Sequence, residues 1–342
     1  MNNISMVDLA GQYQAIKNEI DEAIHSVLAE SAFIKGRFVR SFEQNLANYL
    51  GVRHVIGVGN GTDALQISMM ALGIGPGDEI IAPSFTFVAT AEAVALLRAT
   101  PVFADIDPHT FNISIESIES LITPATRAII PVHLYGQPAN MDAIMALARK
   151  YDLRVIEDCA QAIGARYGRQ AAGTIGDLGT FSFFPSKNLG CYGDGGAIVT
   201  NDDGLADSCR LIANHGSRHK YHNEVIGINS RLDGLQAAIL DVKLKYLDEY
   251  SRKRTEVANA YDHLLRECPS ITVPHRADGR THVFHQYTIR MENDTSESGQ
   301  ELRRDSVSGA LKQDGIPHAI YYPIPVHQLP VYQNGIAACR YS

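Results

Sequence analysis

The sequence predicts an α/β protein in which a mostly parallel, seven-stranded sheet flanked by helices is followed by a smaller C-terminal α/β domain. Short β-branched runs alternate with amphipathic stretches, which is typical of β-α-β units. Several of the runs are apolar throughout, as strands buried on both faces are. The chain has 342 residues, enough for two domains at about 150 residues each.

Seven runs are predicted to be strands of the large sheet. In chain order they are His54–Val58, Glu79–Ala82, Pro101–Asp105, Arg127–Val132, Arg154–Glu157, Gly179–Phe183 and Ala197–Thr200. The amphipathic stretches between them are Thr62–Leu72, Ala89–Leu97, Ile115–Leu121 and Met141–Tyr151. Because a crossover helix carries one parallel strand to the next, this order predicts helices on both faces of the sheet.

The pattern changes after Asn201. The later predicted helices are Leu205–Asn214, Leu232–His263 and Ser306–Gln313, the predicted strands are Ile271–Val273 and Val283–Arg290, and the predicted exposed loop is Glu292–Gln300. We therefore expect a large domain over residues 1–240 and a small α/β domain over residues 241–342.

Composition excludes several classes of protein. Basic residues number 30 and acidic residues 38, so the net charge of −8 argues against nucleic-acid binding. The five cysteines include no C-x-x-C pair, which argues against a disulfide framework and a zinc site. The first residues lack a secretory signal, and no apolar stretch approaches the length of a membrane span. We expect a cytoplasmic protein that binds neither nucleic acid nor membranes.

The first candidate site is the glycine-rich turn over residues 57–63, which follows a predicted strand and opens a predicted helix. Glycines let the backbone approach an anion, and free N–H groups at a helix start bind phosphate. The spacing differs from the G-x-G-x-x-G of nicotinamide-binding turns. A tight turn capped by Thr62 explains the segment equally well.

The second and third candidate sites are Asp158 and Lys187. Asp158 ends an apolar strand, at the edge where parallel sheets bind ligands, and could pair with a pyridinium N–H or cap a helix. Lys187 lies in a phenylalanine- and glycine-rich segment, where apolar surroundings favour the neutral amine that forms a Schiff base. A solvated surface lysine is the alternative. A phosphate turn, a pyridinium partner and an amine together are what pyridoxal phosphate (PLP) requires.

Six motifs in order resemble the DegT/StrS family of sugar aminotransferases, and the resemblance covers nearly the whole chain. These motifs lie at residues 60–65, 83–90, 131–136, 157–161, 181–190 and 227–233. The family implies the type I fold of aspartate aminotransferase and PLP, alternating with its amino form (PMP), as cofactor.

The resemblance also implies a role for each matching residue. Lys187 would bond covalently to PLP, Asp158 would pair with the ring nitrogen, Gln161 would touch the ring hydroxyl and Phe87 would stack on the ring. Gly61, Thr62 and Ser182 would hold the phosphate. Asn229 would reach the phosphate of a neighbouring subunit, which implies a homodimer with shared active sites. Arg231 would bind the incoming carboxylate and Tyr322 the sugar.

The implied reaction transfers the amino group of L-glutamate to a UDP- or dTDP-linked keto-sugar for cell-surface polysaccharide or glycoside biosynthesis. The segment around Lys187 is most similar to family members that act at C3. The alternatives are a sugar dehydratase, whose relatives replace the lysine with histidine, a cyclitol aminotransferase and a non-catalytic sensor of the same fold. The family usually continues well beyond the segment 322–327, so the end at Ser342 suggests a truncated small domain.

A histidine-rich segment lies at residues 214–222. His215, His219 and His222 have a spacing that could suggest metal binding, but no acidic or cysteine partner lies in register. We predict no metal site there. The segment is expected to be either a loop near the sugar-nucleotide entrance or a solvated loop.

Overall fold

The structure is a computed structural model that describes residues 4–291, 303–334 and 339–341. The predicted loop Glu292–Gln300 lies outside these residues. The strands are β1 (His54–Val58), β2 (Glu79–Pro83), β3 (Thr100–Ala104), β4 (Thr126–Ile129), β5 (Arg154–Asp158), β6 (Arg166–Tyr167), β7 (Gln170–Ala171), β8 (Leu178–Ser182), β9 (Gly196–Thr200), β10 (Ser217–His219), β11 (His222–Asn223), β12 (Ile271–Thr272), β13 (Arg290–Met291) and β14 (Arg340–Tyr341).

One large sheet organises the fold, in the order β1-β9-β8-β5-β4-β2-β3-β14. All seven predicted strands are present, and the pairs from β8 to β14 are parallel, whereas β9 runs antiparallel to both of its neighbours. The sheet has eight strands rather than the predicted seven, because Arg340–Tyr341 pairs with β3. The Arg340 guanidinium donates to the Glu79 carboxylate at 2.9 Å. A strand of this length has no periodicity that a sequence could show.

Helices cover both faces of the sheet, as the sequence predicts. They are α1 (Leu9–Ala15), α2 (Lys17–Glu30), α3 (Arg37–Leu50), α4 (Gly61–Ala71), α5 (Ala89–Leu96), α6 (Ile115–Leu121), α7 (Met141–Tyr151), α8 (Asp203–Ile212), α9 (Gly234–Leu244), α10 (Leu247–Leu265), α11 (Arg303–Gln313) and α12 (Pro330–Gln333). Within the described residues, none of them has both the length and the apolar character needed to cross a bilayer.

The core lies on both sides of the sheet because successive side chains of a strand alternate between its faces. Ile80 packs with residues of α4, α5 and α8, whereas Ile81 packs with residues of α6 and α7. Val155 and Ile156 divide in the same way. This double burial is the reason that the strands are apolar throughout.

The C-terminal part departs from the sequence prediction in two places. The predicted single helix Leu232–His263 is two helices, α9 and α10, separated at Lys245 and Tyr246. The predicted strand Val283–Arg290 is irregular except at its end. Its first backbone groups bond to distant partners instead: Val283 N donates to Gly136 O at 2.9 Å, and Arg254 donates to Phe284 O at 3.0 Å.

Candidate active site

Lys187 lies in a closed loop that follows β8. The backbone N–H of Cys191 donates to Phe183 O at 2.8 Å, and the N–H of Lys187 donates to Phe184 O at 2.8 Å. Phe183 and Leu189 are fully buried, so the loop is anchored in the core on both sides of the lysine. Burial lowers the pKa of Lys187, and the charge of Asp158 opposes that shift. The amine is therefore easier to deprotonate than that of a solvated lysine.

Asp158 ends β5 at the carboxyl edge of the parallel strands. Its carboxylate accepts hydrogen bonds from the Thr90 hydroxyl at 2.9 Å and from the Ala160 N–H at 3.1 Å. Burial raises the pKa of Asp158, while these two donors and the charge of Lys187 act in the opposite direction. A buried carboxylate is stabilised by a further cationic N–H donor, which is what a protonated pyridine nitrogen provides.

Gln161 forms hydrogen bonds with two tyrosines. Its side-chain oxygen accepts from the Tyr135 N–H at 2.7 Å, and its amide nitrogen donates to the Tyr322 hydroxyl at 3.1 Å. The Tyr135 hydroxyl in turn donates to Tyr321 O at 2.6 Å. Burial raises the pKa of Tyr322 to about 12, so that phenol stays protonated at neutral pH. The structure thus brings two predicted site residues, Gln161 and Tyr322, into direct contact.

The predicted phosphate residues meet at the start of α4. Gly61 begins the helix, and the Asn60 side chain caps it by accepting from the Asp63 N–H at 2.8 Å. A Cβ atom on Gly61 would lie 2.8 Å from Cβ of Ser182, so only glycine allows this approach. The first N–H groups of a helix have no partner within it. The N–H groups of Gly61 and Thr62 are therefore available to an anion beside Ser182.

Phe87 lies in the connection between β2 and α5. Its side chain is 58% exposed, and it lies three residues before Thr90, whose hydroxyl donates to Asp158. An exposed aromatic ring is available to stack on a flat ligand.

Asn229 and Arg231 flank a buried serine. The Ser230 hydroxyl accepts from the Gly59 N–H at 2.9 Å and donates to the Asp63 carboxylate at 2.6 Å. Asn229 is exposed and Arg231 is half-buried. Within the described part of this single chain, neither forms a hydrogen bond to the residues around Lys187, so these two predicted site residues are not joined to the others.

Glu157, next to Asp158, points to the opposite face of β5. Its buried carboxylate accepts from His133 Nε2 at 2.8 Å and from the N–H groups of Gly173, Ile175 and Gly176 at 2.9, 2.6 and 2.7 Å. Burial alone would raise the pKa of Glu157, but the hydrogen bonds, that of His133 first, bring it below its ordinary value.

We expect Glu157→Gln to lower the free energy of unfolding by about 2–3 kcal/mol, because each hydrogen bond to a buried charge contributes about that much. Since the folded pKa is lowered, the stabilisation is present above the ordinary carboxyl pKa and is lost as the pH falls through the folded value. Urea titrations at several pH values measure both effects. Glu119→Gln, at an exposed pair with Lys150, is the control and should change stability by less than about 1 kcal/mol.

A model of the DegT/DnrJ/EryC1/StrS aminotransferase family matches residues 14–340. This chain belongs to that family. The resemblance drawn from the six motifs is thereby confirmed, as is the predicted α/β fold with its mostly parallel sheet.

Among its relatives in the DegT family, the "Pleiotropic regulatory protein" of Geobacillus stearothermophilus is 49% identical over 97% of this chain and 87% of its own length. The UDP-2-acetamido-2-deoxy-3-oxo-D-glucuronate aminotransferase of Pseudomonas aeruginosa is 49% identical over 96% of this chain and 88% of its own. The crystal structure of S. venezuelae DesV in complex with a ketimine intermediate has a TM-score of 0.93 and 41% identity, over 98% of this chain and 87% of that one.

Several contacts around the candidate site of this DegT-family chain were not predicted. They involve Thr90 at Asp158, and Asn188, whose side-chain amide donates to Val283 O at 3.0 Å and whose oxygen faces His285 Nδ1 at 3.3 Å. Thr90 stands within the motif at residues 83–90, which was the available signal. Asn188 is next to Lys187, but its hydrogen-bond partners lie 95 and 97 residues later in the chain. No local sequence pattern could therefore predict these contacts.

Two groups of residues with side chains that can bind metals differ in burial. His215, His219 and His222 are exposed, and the last two lie on the short hairpin of β10 and β11. His133, Glu157 and Cys159 form a buried cluster, but His133 uses both ring nitrogens, because Nδ1 accepts from the Ala139 N–H at 3.0 Å. Glu157 is fully hydrogen-bonded as well, so of the three residues the Cys159 thiol alone could still offer a ligand atom, and one ligand does not make a metal site.

Proposed function

We propose that this chain is a cytoplasmic, PLP-dependent aminotransferase that moves the amino group of L-glutamate onto a nucleotide-linked 3-keto-sugar, for cell-surface polysaccharide or glycoside biosynthesis. One observation carries the proposal. Lys187, an amine whose pKa is lowered by burial, lies close enough to the buried carboxylate of Asp158 for each charge to affect the pKa of the other.

The remaining site residues fit the cofactor as well. The N–H groups of Gly61 and Thr62 would bind its phosphate beside Ser182, and Phe87 would cover one face of its ring. When bound, PLP supplies an electron sink to the carbon that gains or loses the amino group. Asp158 would hold the proton on the ring nitrogen.

Lys187 would be the general base and acid of the reaction. Its lowered pKa leaves a larger share of neutral amine at physiological pH, and Nζ in this form can take a proton from the substrate carbon. The same atom, once protonated, can return that proton to a neighbouring carbon. Gln161 and the protonated Tyr322 would orient the cofactor and the sugar from the other side.

The substrate class is supported by the named relative from P. aeruginosa, an aminotransferase of a UDP-linked 3-oxo sugar. Arg231 is proposed to bind the carboxylate of glutamate, because a guanidinium pairs with a carboxylate through two parallel hydrogen bonds. Lys187 disfavours the dehydratase alternative, whose relatives carry histidine at this position.

The proposal is tested by incubating the purified, PLP-loaded protein with L-glutamate and a panel of UDP- and dTDP-linked 3-keto- and 4-keto-sugars. Mass spectrometry should detect the amino-sugar and 2-oxoglutarate with the UDP-linked 3-keto-sugar. Amination of a 4-keto-sugar alone, or of a keto-cyclitol added to the panel, would replace the substrate assignment. PLP binding with no turnover on any sugar would instead favour a sensor, which is the second candidate that the name of the G. stearothermophilus relative supports.

We also propose that the enzyme is a homodimer with shared active sites. Phe33 and Ile34 are 44% and 53% exposed, although both are large and apolar. They lie beside the Asn229–Arg231 loop, since Ile34 pairs with Asp233 and the Gly234 N–H donates to Phe33 O at 2.7 Å. A second copy of the chain would cover this apolar surface and receive the exposed Asn229 at its own phosphate site.

A mixture of two inactive variants, Lys187→Ala and Arg231→Ala, should recover activity. Heterodimers would contain one site in which an intact Lys187 and an intact Arg231 come from different chains. Turnover is measured after subunit exchange has been demonstrated by native mass spectrometry. Exchange without any recovery would place Arg231 in the site of its own chain.

A further inference from the structure

Lys243, on α9, is only 1% exposed, and lysine is almost never fully buried without a partner of opposite charge. In the described part of the chain no carboxylate lies within ion-pair distance of its amine. Nζ donates instead to Gly190 O, and it stands 5.1 Å from the centroid of the Tyr192 ring. Burial lowers the pKa of Lys243 to about 8, so the ammonium form still prevails at neutral pH.

Both partners of Lys243 belong to the segment that follows Lys187. Gly190 closes the loop, since a Cβ atom there would lie 2.3 Å from Pro185 O. One residue later, Cys191 bonds to Phe183 O at the opposite end of the same loop. The ammonium group therefore binds the loop where its two ends meet.

A second side chain of α9 holds the same segment. The Gln236 oxygen accepts from the Tyr192 N–H at 2.9 Å, and its amide nitrogen donates to Tyr192 O at 3.3 Å. Gln236 and Lys243 are seven residues apart, which places them on one face of the helix, two turns from each other. This face of α9 satisfies the backbone of Gly190 and Tyr192 with side chains instead of water.

We propose that Lys243 is a positioning residue that fixes the loop carrying Lys187, an inference that rests on the proposed function. Lys243 does not itself reach the substrate, because its amine is enclosed and bound to Gly190. Its removal would leave a buried carbonyl without a donor, which destabilises the closed loop. A displacement of about 1 Å of a reacting group can cost about 10²-fold in rate.

The test compares Lys243→Met with Lys245→Met, the same change at an exposed position of the same chain region. Lys243→Met should lower kcat by about 10²-fold, with little change in the KM for glutamate. In the cofactor-free protein, hydrogen exchange should become faster in residues 183–192 and stay unchanged in the strands of the sheet. Lys245→Met should match the wild type in every measurement.

The remaining outcomes are also decisive. A Lys243→Met protein with wild-type kcat, or with faster exchange throughout the chain, would overturn the positioning role. If that variant does not fold, Lys243→Gln takes its place, because glutamine keeps a hydrogen-bond donor without the charge. Hydrogen exchange in residues 183–192 of this variant should stay slow. Faster exchange in these residues together with a normal kcat would refute the inference. A wild-type protein that neither binds PLP nor converts any substrate would refute the proposed function. In that case the hydrogen-exchange rates of residues 183–192 would still decide whether Lys243 fixes the loop.

Discussion

Lys187→Ala is expected to abolish aminotransfer while leaving the fold intact. The side chain supplies the general base and acid, which contributes about 10²–10⁴-fold, and it also supplies the covalent bond to the cofactor, so turnover should fall below detection. The loop itself is closed by the backbone hydrogen bond from Cys191 N–H to Phe183 O, which the substitution does not alter. Steady-state turnover and the thermal unfolding temperature, measured side by side, check both statements.

The identity of the residue is checked in the wild-type enzyme. Borohydride reduction should fix PLP on Lys187, and peptide mapping should find it on the segment 183–192. Lys150→Ala, at an exposed lysine paired with Glu119, should retain full activity and full labelling. A label on Lys243, the other lysine whose pKa burial lowers, would show that the assignment of the two lysines is reversed.

The strands of the sheet could be predicted from the sequence because a strand that is buried on both faces carries a continuous run of apolar residues. Every residue of a strand such as Ile80–Ala82 faces a core, so hydrophobicity and β-branching mark the strand without knowledge of its neighbours. The segment Val283–Gln286 carries similar residues but forms no strand. Its backbone bonds with Gly136, Asn188 and Arg254, and contacts at such a distance along the chain leave no pattern in the sequence.

The residues of the candidate site also divide into those that a local sequence pattern reveals and those that it does not. Asp158 and Lys187 could be found because each is a charged residue in an unusual local setting, at a strand end or between phenylalanines and glycines. Lys243 and Gln236 could not be found in this way, since they lie in the run Leu232–His263, which was predicted to be a long amphipathic helix, where lysine and glutamine are ordinary. Their role depends on the tertiary packing of α9 against the loop after β8.

Asp158→Asn is expected to slow the chemical step by about 10²–10⁴-fold, because removing one partner of a buried ion pair costs about 3–5 kcal/mol and about 1.4 kcal/mol is tenfold in rate. The asparagine keeps the shape of the side chain and can still accept the hydrogen bond from the Ala160 N–H, which the carboxylate accepts at 3.1 Å. The neutral asparagine cannot stabilise a proton on the ring nitrogen of the cofactor. The variant would therefore still bind the cofactor, but the cofactor would be a weaker electron sink. Single-turnover rates with glutamate measure the effect separately from product release.

A matched control lies at the end of another parallel strand of the same sheet. Asp105 follows β3 as Asp158 ends β5, but it is exposed and its carboxylate accepts from the Ile106 N–H at 2.8 Å. Asp105→Asn should leave the single-turnover rate unchanged. If Asp158→Asn also reacted at nearly the wild-type rate, the carboxylate would have no part in holding the ring proton.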